Sequence, residues 1–336
     1  MRLKFGYVVL LLPLQSALLL AELVWPTPNQ AFLKGEPIEA FVQATASGKI
    51  ESGLFGCVRE EGRRFHEALD LFPVERDAKG EATDLIFSVL PGRVVYINDR
   101  PGWSSYGRYV VVRHDGESPA FHSLYAHLAS VHSGIKEGGW VKAGAVLGVM
   151  GRSAGGYVIP KSRAHLHFEI GLMLSENFEA WFKRQNFKSP NRHGSWNGMN
   201  LVSVDPLGFY RAVRAGNVLN FDAYLRALPV AARLRVFFED SPAFIRNYPG
   251  LLSGKMREGK LVAWDIAFTD FGVPKSWTPR YEDEGLLGNP GEVHILSYAP
   301  DRLKAQPCQR VLDFKGGGVV LSKQTKIALE LLFGFH

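Results

Sequence analysis

The stretch AHLHFEIGL at 164–172 alternates in polarity, with Leu166, Phe168 and Ile170 on one side of the pattern and His165, His167 and Glu169 on the other. A period of two marks a β-strand, on which residues i and i+2 share a face about 7 Å apart. The chain must cover the apolar face with other elements and set two imidazoles into one space on the opposite face. Two readings fit: a half-exposed strand that happens to carry two histidines, or a metal ligand beside a catalytic base.

The segments before it are also strand-like. GRVVYIND (92–99) and GRYVVVRHDG (107–116) are β-branched runs flanked by Gly and Asp, AFHSLYAHL (120–128) is apolar and aromatic, and GGWVKAGAVLGVMG (138–151) spaces glycines among small apolar residues. With 35 glycines, 19 prolines and 12% aromatic residues, this predicts a mainly β, turn-rich fold.

Beyond 172 the pattern changes. SENFEAWFKRQNF (175–187) spaces Phe178, Trp181 and Phe182 as on a helix, with Ser175 as its N-cap, and 188–200 reads as loop. The aromatic stripe reads as packing, with the lining of a groove as the other use. Further on, 220–229 is helical in pattern, 260–272 alternates as a strand with Val262, Trp264, Ile266 and Phe268 on one side, and 323–335 closes the chain as a helix. The expected organisation is a segment 1–21, a domain over 22–210 with its core at 40–171 and an insertion at 173–199, and an α+β region over 211–336 without a catalytic constellation.

The first segment has the layout of a secretory signal: MRLK, then the uncharged run FGYVVLLLPLQSALLL, interrupted by Pro13 and Gln15. A cleaved signal is the expectation, with an uncleaved anchor second. Cys57 and Cys308 are the two cysteines, free to pair in an exported chain or to stay as buried thiols. The formal charge of +6, or 37 basic against 33 acidic residues without Arg2 and Lys4, is scattered. It suits an anionic cell envelope, and no nucleic-acid motif is present.

Three places can carry chemistry: His66 and Asp70 in RFHEALDLF, His127 in SLYAHL, and His165 and His167. A hydrolytic zinc site takes three ligands from His, Asp or Glu and keeps one open position. His66, Asp70 and one histidine of the pair supply such a set, with a site charge of +1. A second histidine could take a proton from water, and a third could stabilise the charge on the attacked carbonyl. Taken singly, H-x-x-x-D is an ordinary one-turn helical spacing and a lone His127 is usually structural.

The ordered set H-x-x-x-D, L-Y-A-H-L and H-L-H-F-E-I, with VKAGAVLGVMG between, resembles the M23 metallopeptidases of the LytM or lysostaphin type, the duplicated hybrid motif domains. The resemblance covers about 40–171; SGLFGCVR (52–59), just before the first motif, is similar to the family's approach to its first ligand, and VDPLGFY (204–210) resembles the segment that closes such domains. It implies an antiparallel β groove with one zinc at its floor, held by His66, Asp70 and His167. It implies His165 as general base, and His127 as holder of the water or stabiliser of the tetrahedral intermediate. The implied substrates are peptides of bacterial peptidoglycan. The alternative is a non-catalytic scaffold of the same type that binds peptidoglycan or activates a partner amidase.

Three departures stand out. Ala68 replaces a usual glycine, which would be strained if that backbone needed positive φ. Ala164 replaces a usual proline, and YVIPKSRA (157–164) lengthens the preceding loop. His114, His122, His132, His193, His294 and His336 are expected to be structural or solvated, with His122 the first exception to check because it lies near His127.

Overall fold

The computed structural model describes residues 23–335; the expected signal segment and His336 lie outside them. In chain order the strands are β1 (Gly56–Arg59), β2 (Arg64–His66), β3 (Leu69–Leu71), β4 (Leu85–Phe87), β5 (Gly92–Asn98), β6 (Arg108–His114), β7 (Phe121–Leu128), β8 (Ser130–Val131), β9 (Trp140–Val141), β10 (Val146–Val149), β11 (Leu166–Met173) and β12 (Leu201–Val204). The later strands are β13 (Ala232–Phe237), β14 (Leu261–Phe268), β15 (Pro274–Tyr281), β16 (Val293–Tyr298), β17 (Leu312–Lys315) and β18 (Gly318–Leu321). The α-helices are α1 (Ala31–Lys34), α2 (Phe178–Arg184), α3 (Pro206–Arg214), α4 (Phe221–Ala227), α5 (Ala243–Asn247), α6 (Pro300–Ala305) and α7 (Lys323–Phe333).

Antiparallel pairing dominates, as the family resemblance implies. The main sheet runs β12-β11-β7-β6-β5-β9, and β3 pairs with the first half of β11 while β12 pairs with the second. Leu166, Phe168, Ile170, Val110, Val112 and Tyr125 face the main core, which continues into the C-terminal region. Tyr109, Val111, Leu124 and Ala126 face the other way, under Tyr106, Trp196 and Leu201. All of β11 is buried, so the half-exposed strand is not what the chain builds: on its second face His167 meets Asp70, His66 and Tyr106, and Glu169 meets Ser203.

That segment holds the expected helix in shorter form. α2 spans Phe178–Arg184, and Asn177, not Ser175, occupies the N-cap; the Ser175 hydroxyl, two residues earlier, accepts from the Asn177 N–H. Phe178 and Trp181 are buried, and the Trp181 indole donates to Glu330 on α7 at 2.8 Å, so this stripe is packing.

The C-terminal region is α+β, with a four-stranded sheet β15-β14-β13-β16 and the hairpin β17–β18. α3 runs across the expected boundary at 210. A disulfide joins Cys57 on β1 to Cys308, settling the open question of pairing. Phe55 and Phe65 pack edge-on and tilted against Phe271, adding an aromatic contact to the same junction. No helix of the described residues is long and apolar enough to cross a membrane.

Candidate metal centre

The H-x-x-x-D motif is not helical. His66 ends β2, Asp70 sits within β3, and Glu67–Ala68 forms the bend between. Register does what a helical turn would have done: His167 on β11 is the direct cross-strand partner of Asp70. Directly opposed residues have Cβ atoms about 4.5–5.5 Å apart, within reach of a shared ligand.

His127 reaches the site by a different device. On a regular strand it would share the core face with Ser123 and Tyr125. Between Arg108 and Val110 on β6, β7 advances from Leu128 to Tyr125, which places an extra residue on β7, and His127 has φ +60°. Such a bulge with a left-handed residue reverses side-chain direction, a conformation uncommon outside glycine. The His127 and His165 ring centroids come within 4.8 Å, and those of His127 and His167 within 5.6 Å.

Hydrogen bonds set the ring tautomers. His66 Nδ1 donates to Leu54 O at 2.7 Å, His167 Nε2 to Glu169 Oε1 at 2.9 Å, His127 Nδ1 to Ser153 O at 2.8 Å, and His165 Nδ1 to Arg163 O at 2.8 Å. These acceptors assign the protons, which leaves the other nitrogen of each ring turned to the shared space. Glu169 is held in turn by the Ser203 hydroxyl at 3.1 Å.

His66 Nε2 lies 3.2 Å and His167 Nδ1 3.3 Å from Asp70 Oδ1, and the two nitrogens lie 3.4 Å from each other. Ligands bound at about 2.0–2.2 Å around a tetrahedral ion stand about 3.3–3.6 Å apart. Asp70 Oδ1 is buried and accepts no well-directed hydrogen bond from the described residues despite these neighbours. An orphaned buried carboxylate oxygen beside two imidazole nitrogens fits a divalent metal such as zinc. The three residues form one of two clusters among the described residues with metal-ligand spacing; the other, Glu67, His167 and Glu169, shares His167. His165 stands further off, with Nε2 3.7 Å from Asp70 Oδ1.

The charges favour a cation here. Burial raises the Asp70 pKa, but the neighbouring imidazoles of His66, His165 and His167 outweigh it and hold it well below the usual carboxylate range. Burial lowers His167, yet Asp70 and Glu169 outweigh it and push this group up to about 10. A positive charge is therefore favoured where the three atoms meet, as a proton or as a metal ion. Burial, reinforced by His165 and His167, pulls His127 well below its ordinary value. Burial also lowers His165, with Asp70 offsetting part of the effect. Both are neutral bases at neutral pH.

The two-residue period that sets His165 and His167 on one face also sets Glu169 there, one step past His167. No local pattern marks Arg59. Its guanidinium lies 2.6 Å from Asp70 Oδ2 and 2.7 Å from His66 Nε2. Tyr106, whose ring lies 5.3 Å from His167, was equally invisible. The remaining described histidines stay out of the cluster. His114 binds Pro91 O and the Ser123 hydroxyl, His193 bridges Tyr96 and Trp103, and buried His122 faces Trp196 with neither nitrogen partnered among the described residues.

Above the cluster lies a cavity of about 640 Å³ lined by Arg59, Glu67, Tyr106, His127, Tyr157 and His167, among others. It adjoins a second of about 480 Å³, with which it shares Phe65, Glu67, Ser105 and Tyr106, under His193, Asn197 and Met199 of the insertion. The lengthened loop crosses one end, where the Tyr157 hydroxyl donates to Ser105 O at 3.2 Å. Only Glu60, Glu61, His127 and Asn186 among the described non-glycine residues have positive φ, so Ala68 is unstrained in the way its glycine-like position had suggested. Ala164, at φ −54° and ψ 136°, keeps the backbone a proline would adopt.

Residues 65–177 match the model of peptidase family M23. Among solved structures, the chain is similar to the catalytic domain of lysostaphin from Staphylococcus simulans, at 19% identity over 52% of this chain and 95% of that one, with a TM-score of 0.30. It is similar to a zinc-containing peptidase from Vibrio cholerae at 24% identity, covering 32% and 26% of the two chains, TM-score 0.24. Csd3 from Helicobacter pylori matches at 21% identity over 50% and 34%, TM-score 0.29. The chain thus spans about a quarter of the Vibrio protein and a third of Csd3. No curated protein matches it. The segment 65–177 that matches peptidase family M23 contains His66, Asp70, His127, His165 and His167.

Proposed function

We propose that this protein is a zinc-dependent endopeptidase that hydrolyses peptide bonds of bacterial peptidoglycan, in stem peptides or cross-bridges. The observation that carries the reading is the convergence of His66 Nε2, Asp70 Oδ1 and His167 Nδ1 at tetrahedral spacing on one orphaned buried oxygen. These three residues would hold one zinc ion per chain. Bound there, zinc supplies Lewis-acid polarisation of the scissile carbonyl and lowers the pKa of a water towards about 7.

The chain's own groups do the rest. His165, neutral and with Nε2 free, takes the proton from the attacking water and returns it to the leaving amine. His127, neutral with its Nδ1–H engaged by Ser153 O, offers an acceptor at Nε2; this supports holding and orienting the water over direct stabilisation of the oxyanion. Glu169 fixes the tautomer and ring plane of His167 and raises its basicity. The groove of two adjoining cavities takes an extended peptide, with Phe65, Glu67, Ser105 and Tyr106 along its middle.

The domain of 22–210 carries this activity, and 211–336 buttresses β1 through Cys57–Cys308. The disulfide supports an exported protein acting in the periplasm or envelope, since such bonds persist in oxidising compartments. Peptidoglycan peptides are the partner, without nucleic acid. Metal analysis and digestion of purified peptidoglycan test the reading. About one zinc per chain and cleavage that His167→Ala removes would uphold it. Full cleavage by His66→Ala, or peptidoglycan binding without zinc or hydrolysis, would replace it with the non-catalytic scaffold.

A further inference from the structure

The hairpin that delivers His66 also delivers a cation. Arg59 lies at the end of β1, which pairs with β2 through Gly56 opposite His66, and the disulfide two residues earlier anchors that strand. One guanidinium nitrogen of Arg59 donates both to Asp70 Oδ2 at 2.6 Å and to His66 Nε2 at 2.7 Å, and Nε donates to Ser52 O at 3.3 Å. The His66 ring cannot turn to offer another atom, because Nδ1 is engaged by Leu54 O and the side chain is fully buried.

Nε2 therefore has one lone pair and two suitors. A ring nitrogen that accepts an N–H cannot use the same lone pair to bind a metal, and a guanidinium does not deprotonate to step aside. We infer that Arg59 is a latch that competes with the metal for His66, an inference that rests on the metal site proposed above. The two contacts of Arg59 differ in this respect. Asp70 Oδ2 is the carboxylate oxygen left over when Oδ1 is a ligand, so the Arg59–Asp70 pair survives loading. Only the bond to His66 is given up. With β1 held by the disulfide, the movement belongs to the Arg59 side chain, which borders the cavity of about 640 Å³. Its side chain is 22% exposed against 2% for Asp70, so it has room to turn on the solvent side.

The latch makes a prediction opposite in sign to that of ordinary support. A residue that merely orients a ligand weakens metal binding by about 10–100-fold when removed. A competitor strengthens binding when removed, here by about ten- to hundredfold for one charge-assisted hydrogen bond. The experiment is zinc titration of the full chain against a chromophoric chelator at pH 7, for the unmodified protein, Arg59→Gln and Arg59→Lys, with melting of each protein before and after loading. The latch expects tighter zinc binding by Arg59→Gln and an intermediate affinity for Arg59→Lys, which keeps a charge near Asp70. It also expects a larger rise in melting temperature on loading Arg59→Gln than on loading the unmodified protein. Unchanged or weaker affinity in both variants overturns the latch and leaves Arg59 as a support for Asp70. If Arg59→Gln does not fold, Arg59→Lys alone decides by the same sign. Failure of the unmodified protein to take up zinc overturns the metal site itself, a result distinct from uptake that Arg59 does not affect.

Discussion

Asp70 and His167 are direct cross-strand partners on β3 and β11, and their Oδ1 and Nδ1 atoms lie 3.3 Å apart. They are 97 residues apart in sequence, and a slip of one residue in this pairing would turn one of them to the opposite face. The candidate centre is thus as stable as the register. The apolar partners on either side, Leu166 with Leu71 and Phe168 with Leu69, hold that register from the core.

Glu169 accepts from His167 Nε2 and is itself buried. Glu169→Gln keeps the shape and removes the charge. Zinc affinity and peptidoglycan cleavage are expected to fall by about 10–100-fold, with near-native far-UV circular dichroism. Unchanged affinity in a chelator competition would remove Glu169 from the site.

The pH dependence of loading follows from His167. Its pKa, pushed up to about 10 by Asp70 and Glu169 against the effect of burial, means that a proton occupies it at neutral pH when no metal does. Zinc must displace that proton, so affinity rises with pH and binding at pH 7 releases about one proton from this group. Titration calorimetry in buffers of different ionisation enthalpy measures the number directly. In the metal-free protein the sign for folding is the reverse: the raised pKa contributes stability that is complete below about 6.5 and lost as pH rises through about 10.

Acid should loosen the fold through other histidines. Burial lowers His114 to about 4, and burial with the charges of His114 and Arg113 lowers His122 to about 3. Groups depressed in the folded state contribute stability present above about 6.5 and lost as pH falls towards those values, amounting to several kcal/mol together. The urea midpoint is expected to be lower at pH 5 than at pH 7, and replacing His122 by Phe should reduce that difference.

The disulfide closes a loop of 251 residues. Replacing both Cys57 and Cys308 by Ser is expected to lower stability by about 2–5 kcal/mol. Reductant should lower the melting temperature of the unmodified protein and leave that of the double variant alone.

Ala68 is fully buried and does not have the positive φ that would favour glycine. Ala68→Gly is therefore expected to destabilise by about 0.4–1 kcal/mol and to leave zinc stoichiometry unchanged. A gain in stability would show that the alanine strains the bend.

Local periodicity determined much of this protein. The strands at 92–98, 108–114, 121–128 and 166–173, and the helix at 323–333, follow from patterns that repeat every two or about 3.6 residues. The same period put His167 and Glu169 on one face, and the ordered motifs pointed to a metal site. The tertiary structure decided what no local pattern carries. His66 and Asp70 meet through strand register, although their spacing also suits a helix. His127 enters the site through a bulge with φ +60°, against its alternation. Arg59 comes within 2.7 Å of His66 because a hairpin folds back. Alternation reports which face a side chain takes, whereas register, bulges and hairpin closure are set by packing between distant segments.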